Sequence, residues 1–462
     1  MRDISAADKL KEIEFEYAVE GVRYDGIPLW PIFRVYIGAQ LIFNQDRLVK
    51  PNKENISKGM SYFFRGFTNL FRSYNYVSFT TSGQRKAIED KLYERTDFVS
   101  EKFGKGLVVE TPTPNHESQK KYLKPVASHM FLYGVEYLIM KLTRVKPSRF
   151  QGLEIIDQIV KENNLKLDVQ FLTKRFKAQY KTIRLLNYFW KPKFVLMTTP
   201  YTRYGYVYFF KNKHIPVVEF QHGVINKAHH AYNIRKEISS QFYPDYLLTF
   251  GENEIKVFDD SKYIQKENCF PIGSFYIDYI QQSDNENVIK QKYPGYKKYV
   301  AVVLQDMYDD DLFDVLGKAF SELSETLFIL IPRNKTPDYY INRFEFSENM
   351  VFFNELNTYE IIKMCDIHTT INSTTAIESP SLGTPNILIN CRGLSREYYD
   401  ETLTDKSVNK IAESVDEYID FVNNFNEMTE SQVINSNNTI FKTGFTKNLN
   451  KTLTMIYEGI TK

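Results

Sequence analysis

Three cysteines in 462 residues, Cys269, Cys365 and Cys391, form no C-x-x-C pair. That spacing excludes a disulfide framework and a thiolate zinc site, and it points to reduced thiols in a cytoplasmic protein. Tryptophan is scarce, with two residues. The longest apolar run, Phe131 to Met140, is broken by Glu136 and too short to cross a bilayer. The N-terminus is charged from Arg2 onward and has no apolar core of the kind that makes a secretory signal. Charge of one sign is also missing: the formal net charge is +2, so nothing global calls for nucleic acid. No G-x-G-x-x-G follows the first strand, and G-x-x-x-x-G-K-S, G-x-S-x-G and H-E-x-x-H are all absent. A dinucleotide dehydrogenase, a P-loop NTPase, a serine hydrolase and a zincin are therefore disfavoured.

Short β-branched or aromatic runs alternating with longer amphipathic ones fill the chain from about residue 74. They predict βαβ units and parallel sheets. One set of strands is expected at 76–81, 106–110, 194–199, 216–220 and 245–250, a second at 299–304, 326–331, 350–353, 366–371 and 385–390. The chain length favours two domains, and the polar stretch 281–298 has the composition of a linker. The expectation is an α/β protein of two Rossmann-like domains, 1–280 and 281–462. The first carries a helical insertion at about 115–192 without strands, and the second is helical from about 405. Within the insertion, 169–193 holds seven Lys or Arg and no acid, with Leu172, Phe176, Tyr180 and Ile183 at helical spacing. Such a helix packs its apolar stripe into a core or lies on an anionic membrane.

Chemistry-bearing residues gather in two places. EFQHGVINKAHHAY, 219–232, puts three of the seven histidines behind an apolar strand. The carboxyl end of a parallel strand is where ligands of open α/β sheets bind, and imidazole titrates near neutrality. NSTTAIESPSLGTP, 372–385, follows a strand with three hydroxyl residues, a helix start and a closing Gly383. Unpaired amides and hydroxyls there suit a phosphate, although Thr375 and Glu378 alone also spell a capping box. Gln305, Arg333 and Lys335 follow two further strands toward the same edge. The run Asp309 to Asp311 reads as a solvated loop rather than a metal cage.

Together VVEFQHGVINKAHHAY, FYPDYLLTFGENE, CFPIGSFY and INSTTAIESPSLGTP, with GVRYDGIPLWPIFR near the start, resemble GT-B glycosyltransferases of bacterial surface-polysaccharide synthesis. The similar groups are capsule and lipopolysaccharide enzymes, polysialyltransferase-like and Kdo-transferase-like proteins, and teichoic-acid glycerophosphate polymerases. The resemblance implies two domains facing across a cleft and metal-independent, inverting transfer from a nucleotide-activated sugar, CMP- or CDP-linked, to a glycan or lipid-linked acceptor. It implies no cofactor, no metal, no nucleic acid partner and a contact with the cytoplasmic face of the inner membrane. His222 matches the histidine of the family's QHG element, which the resemblance implies acts as base or contacts phosphate; deprotonation of the acceptor is its expected role, with Glu219 and His229 as substitutes. The family's Ser/Thr and acidic donor-site residues correspond to Ser373, Thr374 and Glu378, and Thr375, Arg333, Lys335, Gln305 and Gly273 are the further residues expected at the donor. Gln221, Gly223, His230, Tyr232 and Arg203 are those for the acceptor. Relatives often have a Lys/His-Pro pair where this chain has Pro332, Arg333, Asn334 and Lys335, which moves leaving-group stabilisation to Arg333 and Lys335. A sugar-nucleotide 2-epimerase and a non-catalytic polysaccharide-binding subunit are the alternatives on the same scaffold.

Overall fold

The computed structural model describes residues 6–43, 62–113, 122–227, 229–283, 286–306, 308–425 and 428–461. Contacts divide the chain into two units. The first comprises Met1–Thr249, Ile255–Phe270 and Thr446–Lys462, and the second Phe250–Glu254 and Pro271–Phe445. Each is organised around its own parallel sheet. The chain leaves the first unit between Phe270 and Pro271 rather than near residue 280, and its last helix belongs to the first unit rather than the second.

The first unit is built on seven strands: β1 Tyr76–Thr81, β2 Gly106–Thr111, β3 Val126–Ser128, β4 Phe194–Thr198, β5 Val217–Phe220, β6 Tyr246–Thr249 and β7 Cys269–Pro271. Their spatial order is β3-β2-β1-β4-β5-β6-β7. β1 pairs in parallel with both β2 and β4, so the winding reverses there. β1, β2, β4 and β5 are almost wholly buried along their length, as apolar runs covered on both faces must be. One cover is α1, His129–Leu142, packed against α2, Val169–Trp190. The Asp168 carboxylate caps α2 by accepting from Phe171 N at 2.8 Å. Leu172, Phe176, Ile183, Leu186 and Trp190 form its buried stripe, and the left-handed Lys191 before Pro192 ends it.

The second unit repeats the plan with β8 Lys298–Val303, β9 Thr326–Ile331, β10 Met350–Phe352, β11 Ile367–Thr369, β12 Asn386–Ile389 and β13 Asn409–Ala412. The order is β10-β9-β8-β11-β12-β13 with every neighbour parallel. The reversal lies between β8 and β11. Both sheets thus have the doubly wound order whose switch point opens a crevice at the carboxyl strand ends.

Two expectations are corrected. The insertion at 115–192 holds β3 and a two-residue strand, Phe150–Gln151, as well as α1, α2 and the helix Leu153–Glu162, while 115–121 lies outside the described residues. The segment after 405 begins with β13 before its helices Val415–Asn423, Glu430–Ser436 and Phe445–Thr461. β3 and β13 are sheet edges of three and four residues, paired on one side only. They need no long apolar run, and Asn409 and Lys410 supply none.

The last helix docks on the first unit through a side chain that imitates a peptide. Asn450 accepts from Ser100 N at 2.7 Å and donates to Phe98 O at 2.9 Å. Asn450→Ala leaves a half-buried N–H and C=O unpaired, at a cost of about 1–3 kcal/mol. Urea unfolding should show a correspondingly lower midpoint, and an unchanged one would mean the helix is not held this way.

Candidate functional site

In the first unit the chemistry sits beyond the carboxyl end of β5. Gln221 extends the ladder by donating its N–H to Leu248 O at 2.9 Å, and its side-chain amide donates to Gly223 O at 2.9 Å, which closes the turn. Arg95 donates to the Gln221 carbonyl at 2.7 Å. His222 is aimed by this turn at Tyr201, whose hydroxyl lies 3.2 Å from Nε2. The residue is half-buried, and its Nδ1 is enclosed with no hydrogen-bond partner among the described residues. Burial, followed by the nearby His229 and the Arg95 charge, holds this imidazole down to about 3, so it is neutral at physiological pH. Gly223 has open space where a Cβ would stand.

The other two histidines support rather than face the turn. His229 accepts from Ala231 N at 3.3 Å and packs 4.7 Å from the Tyr232 ring; burial lowers it to about 4. His230 stacks on His229, and its ring lies so close to Gly38 that a Cβ there would be 2.6 Å from His230 Cδ2. The loop is pinned by Arg34, which donates to the carbonyls of His230 and Asn233 and, at 2.6 Å, to Glu14. Glu14 also accepts from Trp30 Nε1 at 3.1 Å and Arg235 N at 2.9 Å. Both ions are buried. This clamp escaped sequence reasoning, although a signal was present: Arg34 is the one charge in the helix Trp30–Phe43.

Glu219 is wholly buried on β5, and its two oxygens face the hydroxyls of Tyr232 at 2.7 Å and Tyr263 at 2.6 Å. Burial raises it to about 8 against the pull of those two bonds. Glu219 and Tyr232 are thus tied to each other rather than brought to His222.

Arg203 lies apart from the histidine turn. Buried beside the switch point, it donates to Thr198 O at 3.0 Å and lies 3.4 Å from both Thr111 Oγ1 and His129 Nδ1. His129 also meets Thr111 Oγ1 and the Tyr206 hydroxyl at 2.9 Å, and Tyr206 bonds Glu136, whose carboxyl burial raises to about 7. His129 and Glu136 were not anticipated, because each lies singly in an apolar stretch.

In the second unit the switch point is laced by Gln305. Its Oε1 accepts from Asn372 N at 2.8 Å and lies 3.4 Å from Thr370 Oγ1, which also donates to Val303 O at 3.0 Å. Ser373 follows, with its carbonyl taken by the Tyr399 hydroxyl at 2.6 Å and its Oγ 3.4 Å from Thr375 N. Thr374 is exposed and makes no side-chain cap, while Thr375 Oγ1 is enclosed without a partner among the described residues. The capping box is not formed: Glu378 accepts from Tyr359 OH at 3.0 Å instead. The helix Thr375–Glu378 is one turn, prolonged by a 3-10 turn to the left-handed Gly383. Arg333 and Lys335 are exposed just beyond β9. Gly273 stands elsewhere, in a left-handed turn where a Cβ would sit 1.9 Å from Lys442 O, so backbone packing accounts for it. Asp309 binds Gln305 N and the Tyr340 hydroxyl, Asp310 pairs with Arg343 and Asp311 with Arg392, each at 2.7–2.9 Å. No cluster of three metal-ligating side chains occurs among the described residues.

No family model matches the sequence, and no curated protein does. Solved structures do match in fold. A Listeria monocytogenes protein assigned as a UDP-N-acetylglucosamine 2-epimerase has a TM-score of 0.50 at 12% identity, covering 84% of this chain and 96% of that one. The S. aureus MnaA–UDP complex has 0.50 at 12%, covering 85% and 98%. CalG4, the calicheamicin glycosyltransferase, has 0.48 at 9%, covering 84% and 98%. Likeness at such identity establishes the GT-B architecture and leaves the reaction to the site.

Glu219 gives a test of this geometry. Unfolded, it ionises above pH 4.5; folded, it holds its proton to about pH 8. The native state therefore binds the extra proton between those values, and stability from this group is full below pH 4.5 and lost as pH rises toward 8. Glu219→Gln removes that loss. Its denaturation midpoint relative to the parent should climb from pH 5 to pH 8, and a constant difference would mean that the carboxyl is ionised when buried.

Proposed function

We propose that the chain is a nucleotide-sugar-dependent glycosyltransferase whose second unit holds the donor nucleotide and whose first unit supplies the base. What carries this reading is the neutral His222 imidazole, with an enclosed, unpartnered Nδ1, on the turn beyond a Rossmann strand. A buried nitrogen without a partner is costly, by about 1–3 kcal/mol, and a rotation of the ring that brings it to a substrate hydroxyl or phosphate oxygen relieves that cost. The His222 imidazole accepts the acceptor's hydroxyl proton. The acceptor oxygen then bonds to the anomeric carbon as the carbon–oxygen bond to the nucleotide phosphate breaks, the phosphate keeping the electron pair. An imidazole held near 3 is a weak base, and an anionic substrate group beside it raises its affinity for the proton.

For the leaving phosphate the chain offers Arg333, Lys335 and the hydroxyls of Ser373 and Thr374. A single helical turn adds little dipole. Gln305 and Asn372 hold the edge of this site rather than the ligand. The likeness of the QHG and NSTTAIE segments to surface-polysaccharide transferases supports a glycan or lipid-linked acceptor, a cytidine donor and a cytoplasmic setting. No helix among the described residues is long and apolar enough to cross a membrane.

Sugar-nucleotide 2-epimerisation is the second reading, since the fold serves both. It needs carboxylates at the sugar, and Glu219 is engaged by two tyrosines. Incubation with CMP-, CDP-, UDP- and GDP-sugars, with and without a glycan acceptor, separates them: a transferase releases nucleotide only when acceptor is present, whereas an epimerase forms the epimer without it. His222→Ala should lower turnover by about 10²- to 10⁴-fold while the nucleotide-induced rise in Tm persists. Retained turnover would remove His222 as the base.

A further inference from the structure

We propose that the paired helices α1 and α2, with the turn before β1, form a surface that docks on an anionic lipid bilayer. Isolated exposed apolar side chains are ordinary, but a group of them on adjoining elements is not. Phe64, Leu138, Leu142, Leu185 and Tyr188 are 60 to 84% exposed, and Phe71, Tyr137 and Phe189 are exposed as well. All lie on α1, α2 or the segment 62–71. Rings join them: Phe64 meets Phe67, Phe67 meets both Phe71 and Phe131 of α1, and Phe71 meets Phe189 of α2, with centroids 4.8–6.2 Å apart.

Charge selects the occupant. Residues 62–75, 122–150 and 169–193 carry fourteen Lys or Arg and one acid, Glu136, in a chain of net charge +2. Glu136 is buried against Tyr206 and offers nothing to solvent. Arg149 and Lys177 pair with Asp25, whereas Arg144, Lys181, Arg184 and Lys191 have no ion pair among the described residues. On α2, Lys181, Arg184, Leu185 and Tyr188 recur at helical spacing on the side opposite the buried stripe. Apolar side chains flanked by unpaired cations, with aromatics among them, match an interface of anionic headgroups over hydrocarbon. A nucleic acid would meet the cations and leave Leu138, Leu142 and Leu185 in water.

The test is co-sedimentation of the full chain with phosphatidylcholine vesicles, with or without phosphatidylglycerol. Binding should need phosphatidylglycerol and weaken with salt. Lys181→Gln and Arg184→Gln should each reduce partitioning about fivefold. Leu142→Ser, Leu185→Ser and Tyr188→Ser should each reduce it about tenfold. These side chains are exposed, so circular dichroism and melting should match the parent. No pelleting would overturn the proposal. So would binding that is indifferent to the serine variants and equalled by single-stranded nucleic acid, or a concentration-dependent dimer that the serine variants dissolve.

Discussion

A buried charge organises the first unit. Arg34 is surrounded by apolar neighbours on its own helix, and a guanidinium there persists only if its donors are answered. Glu14 answers one side, and the carbonyls of His230 and Asn233 answer the other. Losing one partner of such a buried pair typically costs about 3–5 kcal/mol. The loop carrying His229 and His230 is therefore held to the N-terminal helices by a buried charge whose partners come from both. Through Tyr201 and Tyr232, whose rings pack around His229, the same clamp sets the surroundings of His222.

The second constraint is topological. Each sheet reverses its winding beside its first strand, and the loops gathered at the carboxyl ends are those that cannot be covered by crossover helices. In the second unit this crevice is edged by Gln305 and Asn372; in the first, Thr198 and Arg203 stand there, with the histidine turn one strand further along. Polar side chains at both places are bonded within the protein, Gln305 to the Asn372 amide and Arg203 to Thr198 O and a ring of side chains, which makes the crevice walls rigid before any ligand arrives.

Most of this architecture was legible. Central strands such as TLFILI and VVEF are buried on both faces and therefore advertise themselves as unbroken apolar runs. The edge strands VAS and NKIA, satisfied from one side, carry no such signal. The QHG turn and the hydroxyl cluster were visible because several chemistry-bearing residues adjoin in sequence. Arg34, His129 and Glu136 were not, since their partners lie between 18 and 199 residues away, and one charge in an apolar helix does not say what answers it. Thr375 and Glu378 show the opposite failure: a familiar local spacing yields to Tyr359, a competitor 19 residues distant.

The last helix gives the chain an order of events. Its Asn450 and Tyr457 meet Phe98, Ser100 and Phe103, so the first unit must wait for more than three hundred later residues before one of its own walls exists. On a ribosome the second unit is made before this helix, and Phe103 meanwhile has Phe194 but not Tyr457 against its ring. Nascent chains halted short of residue 446 are accordingly the natural clients of holdase chaperones.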